Sequence, residues 1–140
     1  MADKKYIYAV GRRNRSTVSI KLIPQGNGNF IIRKTNGSDI DMKEYFGGNA
    51  YLYENALYPF HVLGKDAANK FDAEIKINWW WIKWHSDSIK LAFSRSLVEM
   101  SSDNKPMFKP FGLLMRDPRR KERKKPGLRG ARKSPQWSKR

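Results

Sequence analysis

The chain contains no cysteine and only two histidines, His61 and His85, in 140 residues. The first absence excludes disulfides and thiolate metal sites, and two imidazoles are too few for a zinc cage, so no metal is expected. Acidic residues are also scarce, 13 Asp and Glu against 29 Lys and Arg. They are scattered, and no nucleophile, base and orienting group arrive together, so the chain reads as a binding protein, with neither catalytic residues nor a cofactor expected. No apolar run approaches the roughly 18 to 20 residues of a membrane-spanning helix. Met1 to Lys5 is not followed by the apolar core of a signal peptide, so the expected location is cytoplasmic, away from membranes.

Positive charge is what the chain has in excess, and it is unevenly spread. Arg116 to Arg140 holds twelve Lys and Arg against Asp117 and Glu122, which supplies +10 of the net +16. With almost no apolar content to offset an ordering entropy of roughly 1 to 2 kcal/mol per residue, this segment is expected to be an extended tail that seeks a polyanion. Residues 1–115 are then one globular RNA-binding α/β domain, itself carrying a net +6, and 116–140 the tail.

Periodicity suggests the domain's elements. Tyr6 to Val10 reads as a strand running into a basic turn at Gly11, Arg12 and Arg13, and Thr17 to Ile23 as its partner, with Val18, Ile20 and Leu22 on one face. Pro24, Gly26 and Gly28 close that strand, and Phe30 to Arg33 is a third. Asp39 or Asp41 caps a short helix through Phe46, Asn49 caps another that Pro59 stops, and Phe71 to Ile77 alternates as a fourth strand. The clearest helix starts at Ser86 or Asp87, with Ile89, Phe93, Leu97 and Met100 sharing a face with Ala92 and Ser96. The expected fold class is therefore α+β: a single compact domain with a four-stranded sheet packed by helices, plus a long extended basic C-terminal tail.

Three basic groups carry the binding expectation. They are Arg12, Arg13 and Arg15 at a strand end; Arg116, Arg119, Arg120, Lys121, Arg123, Lys124 and Lys125; and Arg129, Arg132 and Lys133 continuing to Arg140. Guanidinium groups fork onto phosphate oxygens, and each neutralised phosphate releases counterions, which makes binding strong and salt dependent. Prolines and glycines among the charges favour an extended path, able to reach up to roughly 80 Å at about 3.3 Å per residue.

The segment RDPRRKERKKPGLRGARKSPQWSKR, Arg116 to Arg140, resembles the C-terminal signature of the family of the ninth protein of the small ribosomal subunit. Upstream, Gly11 to Val18 is similar to that family's GRRK-S-S-V opening, Glu44 to Phe46 to its EYF element, and Ser94 to Glu99 to its ARALVE helix. The resemblance covers nearly the whole chain, with an apparent insertion near Lys34 to Ile40. It implies a fold like the second domain of ribosomal protein S-five, binding to 16S-type ribosomal RNA in the subunit head, and neighbouring head proteins as partners. It also implies that Ser138, Lys139 and Arg140 reach the anticodon stem-loop of peptidyl-site transfer RNA.

One element departs from the family. Where it has GGG-x-x-G-Q, this chain has Trp79, Trp80, Trp81 and Trp84, with His85 in place of glutamine and able to bond RNA or the turn backbone. Glycine there would permit positive φ and close approach to RNA; tryptophan disfavours both. One reading is that the four positions are UGA codons translated as glycine in the source organism. Another takes the rings, with Lys83, as a platform on which unpaired bases stack, as in a general single-stranded nucleic-acid-binding protein. Burial in an altered core is a third, weakened because three contiguous rings cannot all face one side of a strand. A membrane-surface protein, inserting WWWIKW while its tail holds anionic headgroups, is the alternative outside nucleic-acid binding.

Overall fold

The computed structural model describes residues 6–34, 37–64, 66–78 and 81–139. Five strands form one mixed sheet: β1 (Ile7–Arg13), β2 (Ser16–Pro24), β3 (Phe30–Arg33), β4 (Asp39–Asp41) and β5 (Phe71–Asn78), in the order β1-β2-β5-β3-β4. All neighbours are antiparallel except β3 and β5, which run parallel. The helices are α1 (Met42–Tyr45), α2 (Ala50–Leu63), α3 (Ile82–Met100) and α4 (Asn104–Phe108).

The α+β class stands, but the sheet has five strands where four were expected. The extra one, β4, is three residues long and reads Asp-Ile-Asp, too short and too charged for an alternation signal. Pairing with β3 at Ile32 and Ile40 makes it a strand.

Alternation elsewhere predicts the buried face well. Val18, Ile20 and Leu22 on β2, Phe30 and Ile32 on β3, and Phe71, Ala73 and Ile75 on β5 point into one core. From α3 the core receives Ile89, Ala92, Phe93 and Leu97, and from α2 Ala56, Leu57 and Phe60. Phe93 meets Phe60 at 5.0 Å and Phe30 at 5.5 Å between ring centroids, both edge-on, the arrangement that aromatic quadrupoles favour. Each such side chain contributes about 1.5 to 3 kcal/mol by leaving water. Met100, expected on this face, is the last residue of α3 and is 41% exposed.

Gly11 allows α3 to lie close against β1. A Cβ at this position would stand 1.9 Å from the carbonyl oxygen of Ser88, so only glycine lets strand and helix approach this far.

Two helix boundaries differ from the sequence expectation. Pro59 does not stop α2 but lies inside it, since the buried stripe of Ala56, Leu57 and Phe60 offsets the hydrogen bond that proline cannot make. The helix ends instead at Gly64, whose amide donates to the Phe60 carbonyl. Likewise α3 begins at Ile82, one turn ahead of Ser86 and Asp87, and neither residue is its cap. Ser86 is buried and donates to the Leu52 carbonyl at 2.7 Å, while Asn55 donates to the Ser86 hydroxyl at 2.7 Å and to Asp87 at 3.1 Å. These polar groups tie α3 to α2. The expected caps do form at Asp41, which accepts from the Lys43 amide, and at Asn49, which accepts from the Leu52 amide. His85 is fully buried, with Nδ1 2.7 Å from the Tyr45 hydroxyl, which places it within the domain.

Candidate nucleic-acid interface

The candidate surface is built where the β1–β2 hairpin tip, the start of α3 and the chain leaving the core come together. Leu113 is the last buried residue, and residues 116–139 contain no helix or strand among the described residues. The hairpin turn passes through Asn14 at φ 53°, a left-handed conformation that asparagine tolerates, and it presents Arg12 and Arg15 on the exposed side.

Arg13 behaves differently from its two neighbours. Its side chain is only 16% exposed, Nη2 lies 2.9 Å from Asp117 Oδ2, and Nε lies 3.6 Å from Asp87 Oδ2. Nη1 donates to the Asp117 carbonyl at 2.9 Å and to the Arg119 carbonyl at 3.3 Å. Arg116 adds a hydrogen bond from Nη2 to the Asn14 carbonyl at 3.1 Å. Asp117 in turn accepts from the Arg119 amide and guanidinium at 2.8 to 3.2 Å. Its carboxyl is held well below the usual carboxylate range, first by those bonds from Arg119 and then by the field of Arg13.

Beside this cluster lies a cleft of about 370 Å³ whose wall includes Arg12, Lys83, Lys90 and Arg119 over Leu113. Arg12 and Lys83 have no carboxylate partner among the described residues, so the cleft keeps a positive surplus. A second depression, of about 290 Å³, is bordered by Arg15, Trp81, Trp84, Arg120 and Lys121. The two indole rings there lie 5.4 Å apart and tilted by 42°. Trp81 has φ −86° and Trp84 is helical, conformations open to any L-residue; Trp79 and Trp80 lie outside the described residues.

Beyond the root, Glu122 pairs with Lys125 and, at 3.0 Å, with Arg132. Such exposed pairs contribute at most about 1 kcal/mol and exchange readily for phosphate. Arg120, Lys121, Arg123, Lys124, Arg129 and Lys133 are exposed and have no carboxylate partner among the described residues. Ser138 and Lys139 are exposed too, and Arg140 lies outside the described residues. Of the cations predicted from sequence, Arg12 lies beside Arg119 and Arg15 beside Arg120 and Lys121, with Arg13 turned inward.

Sequence reasoning missed Lys90, Asp87 and Asp117 as parts of this surface. The i, i+3 spacing of Asp87 and Lys90, which pair at 3.6 Å, was the one available signal. The outer side of α2 offers a contrast: Tyr51, Glu54, Tyr58 and His61 line it, and residues 50–63 hold no Lys or Arg. Phosphate has no electrostatic reason to approach that side. No helix among the described residues is long and apolar enough to cross a membrane.

Fold and charge together define a class: a small basic α+β protein whose most cationic segment, residues 116–139, holds no helix or strand. A profile of the family described as ribosomal protein S9/S16 matches residues 11–140. The small ribosomal subunit protein uS9c of Emiliania huxleyi is 41% identical over 132 residues, covering 94% of this chain and 95% of its own. The uS9 proteins of Trichormus variabilis and Prochlorococcus marinus (strain MIT 9312) are 38% and 37% identical, covering 95% and 99% of this chain and 91% and 96% of theirs. The chain belongs to the ribosomal protein S9/S16 family. Membership makes it a structural protein of the small ribosomal subunit, part of the ribonucleoprotein that carries out translation.

Proposed function

We propose that the chain binds 16S-type ribosomal RNA in the subunit head through Arg12, Arg15 and the cations of the arm, and that Ser138, Lys139 and Arg140 contact peptidyl-site transfer RNA. The observation that carries this reading is the arm itself, whose six exposed Lys and Arg from Arg120 to Lys133 lack carboxylate partners among the described residues. Cations arranged along irregular backbone suit phosphates, which fix position without reading sequence, and so suit any transfer RNA. The side of α2 without Lys or Arg is the one left for neighbouring head proteins. Positions 79, 80, 81 and 84 are proposed to carry glycine in the native protein, as the family pattern implies, which would open the depression between Arg15 and Arg120 to RNA backbone.

Subunits assembled with a chain lacking Ser138 to Arg140 test the transfer RNA role. Assembly is expected to proceed, while peptidyl-site transfer RNA binding weakens. Unchanged affinity on such subunits would overturn that role for the arm.

A further inference from the structure

We propose that Arg13 is a positioning residue for the arm, fixing where residues 116–119 leave the domain and hence the direction in which the cations beyond them reach. This rests on the reading that the arm engages nucleic acid, but the clamp can be tested without it.

Every edge of the Arg13 guanidinium faces within the chain. Nη1 bridges two carbonyls of the arm's root by donating to those of Asp117 and Arg119, Nη2 holds the Asp117 carboxylate, and Nε faces Asp87 on α3. Its side chain is 16% exposed, whereas that of Arg119 is 85% exposed, so the two arginines divide the work of holding and reaching. The root is pinned a second time by Arg116 on the Asn14 carbonyl, on the same hairpin tip. Between the two pins Pro118 fixes its own φ, and Asp117 Oδ1 accepts the Arg119 amide, so little backbone freedom remains at 116–119.

This placement asks for arginine. A planar fork can hold two carbonyls and a carboxylate at once, while an ammonium group offers the same charge without the fixed geometry. An arm fixed at its root searches a smaller volume than one that swings freely, so the local concentration of its far end near a target rises without any new contact to that target.

The test uses the full chain with Arg13→Lys and, separately, Asp117→Asn, a position outside the buried core. Trypsin cleavage after Arg116 and Arg119 is measured relative to cleavage after Arg129, alongside hydrogen exchange of the Arg119 amide and thermal unfolding of the domain. Both variants are expected to be cut at the root on the order of tenfold faster, with faster exchange at Arg119 and little change in unfolding temperature. Root cleavage at the wild-type rate in both variants would overturn the clamp, as would a lysine variant indistinguishable from wild type in cleavage and exchange. Reconstituted subunits then separate the two readings. Faster root cleavage with weaker transfer RNA binding supports both; faster root cleavage with unchanged transfer RNA binding supports the clamp and counts against the arm's role at the peptidyl site.

Discussion

The Arg13 guanidinium and the Asp117 carboxylate lie 2.9 Å apart, although 104 positions separate the residues in sequence. Through this pair the first strand hairpin holds the segment at which the domain gives way to its cationic arm. A residue that the sequence groups with Arg12 and Arg15 as a phosphate ligand is thus occupied by the chain's own carboxylates and carbonyls.

The salt dependence of RNA binding should separate these arginines. Arg12→Ala is expected to lower the slope of log affinity against log salt by about one, since each phosphate contact contributes roughly 0.9. Arg13→Gln, which removes a charge already committed to inward partners, is expected to leave the slope unchanged. Equal losses from the two variants, measured by titration with ribosomal RNA at several salt concentrations, would place both on phosphate.

Acid should open the clamp only at unusually low pH. Asp117 is depressed below its ordinary value, and a carboxylate depressed in the folded state contributes stability that is complete above its unfolded pKa of about 3.9. That contribution is lost as pH falls through the lower folded value. Carboxyl-carbon resonances followed by NMR are expected to show Asp117 still ionised below the ordinary carboxylate range. Arg119→Ala should reverse part of the shift, because the side-chain bonds from Arg119 are its largest cause, while the backbone amide of residue 119 and the field of Arg13 remain. Titration of wild-type Asp117 in the ordinary range would contradict this account.

Gly11→Ala is expected to destabilise the domain by about 1 to 3 kcal/mol, the usual cost of overpacking. The new methyl group would meet the Ser88 carbonyl oxygen, backbone that cannot rotate aside, so α3 must move off β1. Denaturant unfolding measures the loss, and a change under 0.5 kcal/mol would show that the helix shifts freely.

Phe93→Ala should cost about 3 to 5 kcal/mol by leaving a cavity between Phe30 and Phe60, a large part of a small domain's stability. Thermal unfolding checks it. A cost near 1 kcal/mol would mean that the aromatic cluster collapses into the gap.

Peptide mass spectrometry across residues 75–95 of the protein isolated from its native ribosomes is expected to find glycine at 79, 80, 81 and 84. Tryptophan would instead leave the two indole rings of Trp81 and Trp84 beside Arg15 and Arg120.

Much of the architecture was legible because burial follows local period. The alternation of Val18, Ile20 and Leu22, and the helical spacing of Ile89, Phe93 and Leu97, each predict an inner face that the structure confirms. The boundaries were harder to read. Ser86 and Asp87 look like a helix start because their side chains suit caps, yet Asn55 and Leu52 on α2 supply partners that no local rule contains. Asp39–Asp41 has no strand signal of its own and depends on β3 for its pairing. The candidate surface divides in the same way, since exposure of Arg120 to Lys133 follows from charge density, whereas the inward turn of Arg13 does not.

By itself the sequence determined the charge, its concentration in residues 116–140 and the apolar faces of strands and helices, because each depends on residues close together along the chain. Only the tertiary structure decided which cations remain available to a partner. That depends on carboxylates and carbonyls brought within about 3 Å from distant positions, as around the Nη atoms of Arg13, and no rule of local spacing carries a contact across 104 positions.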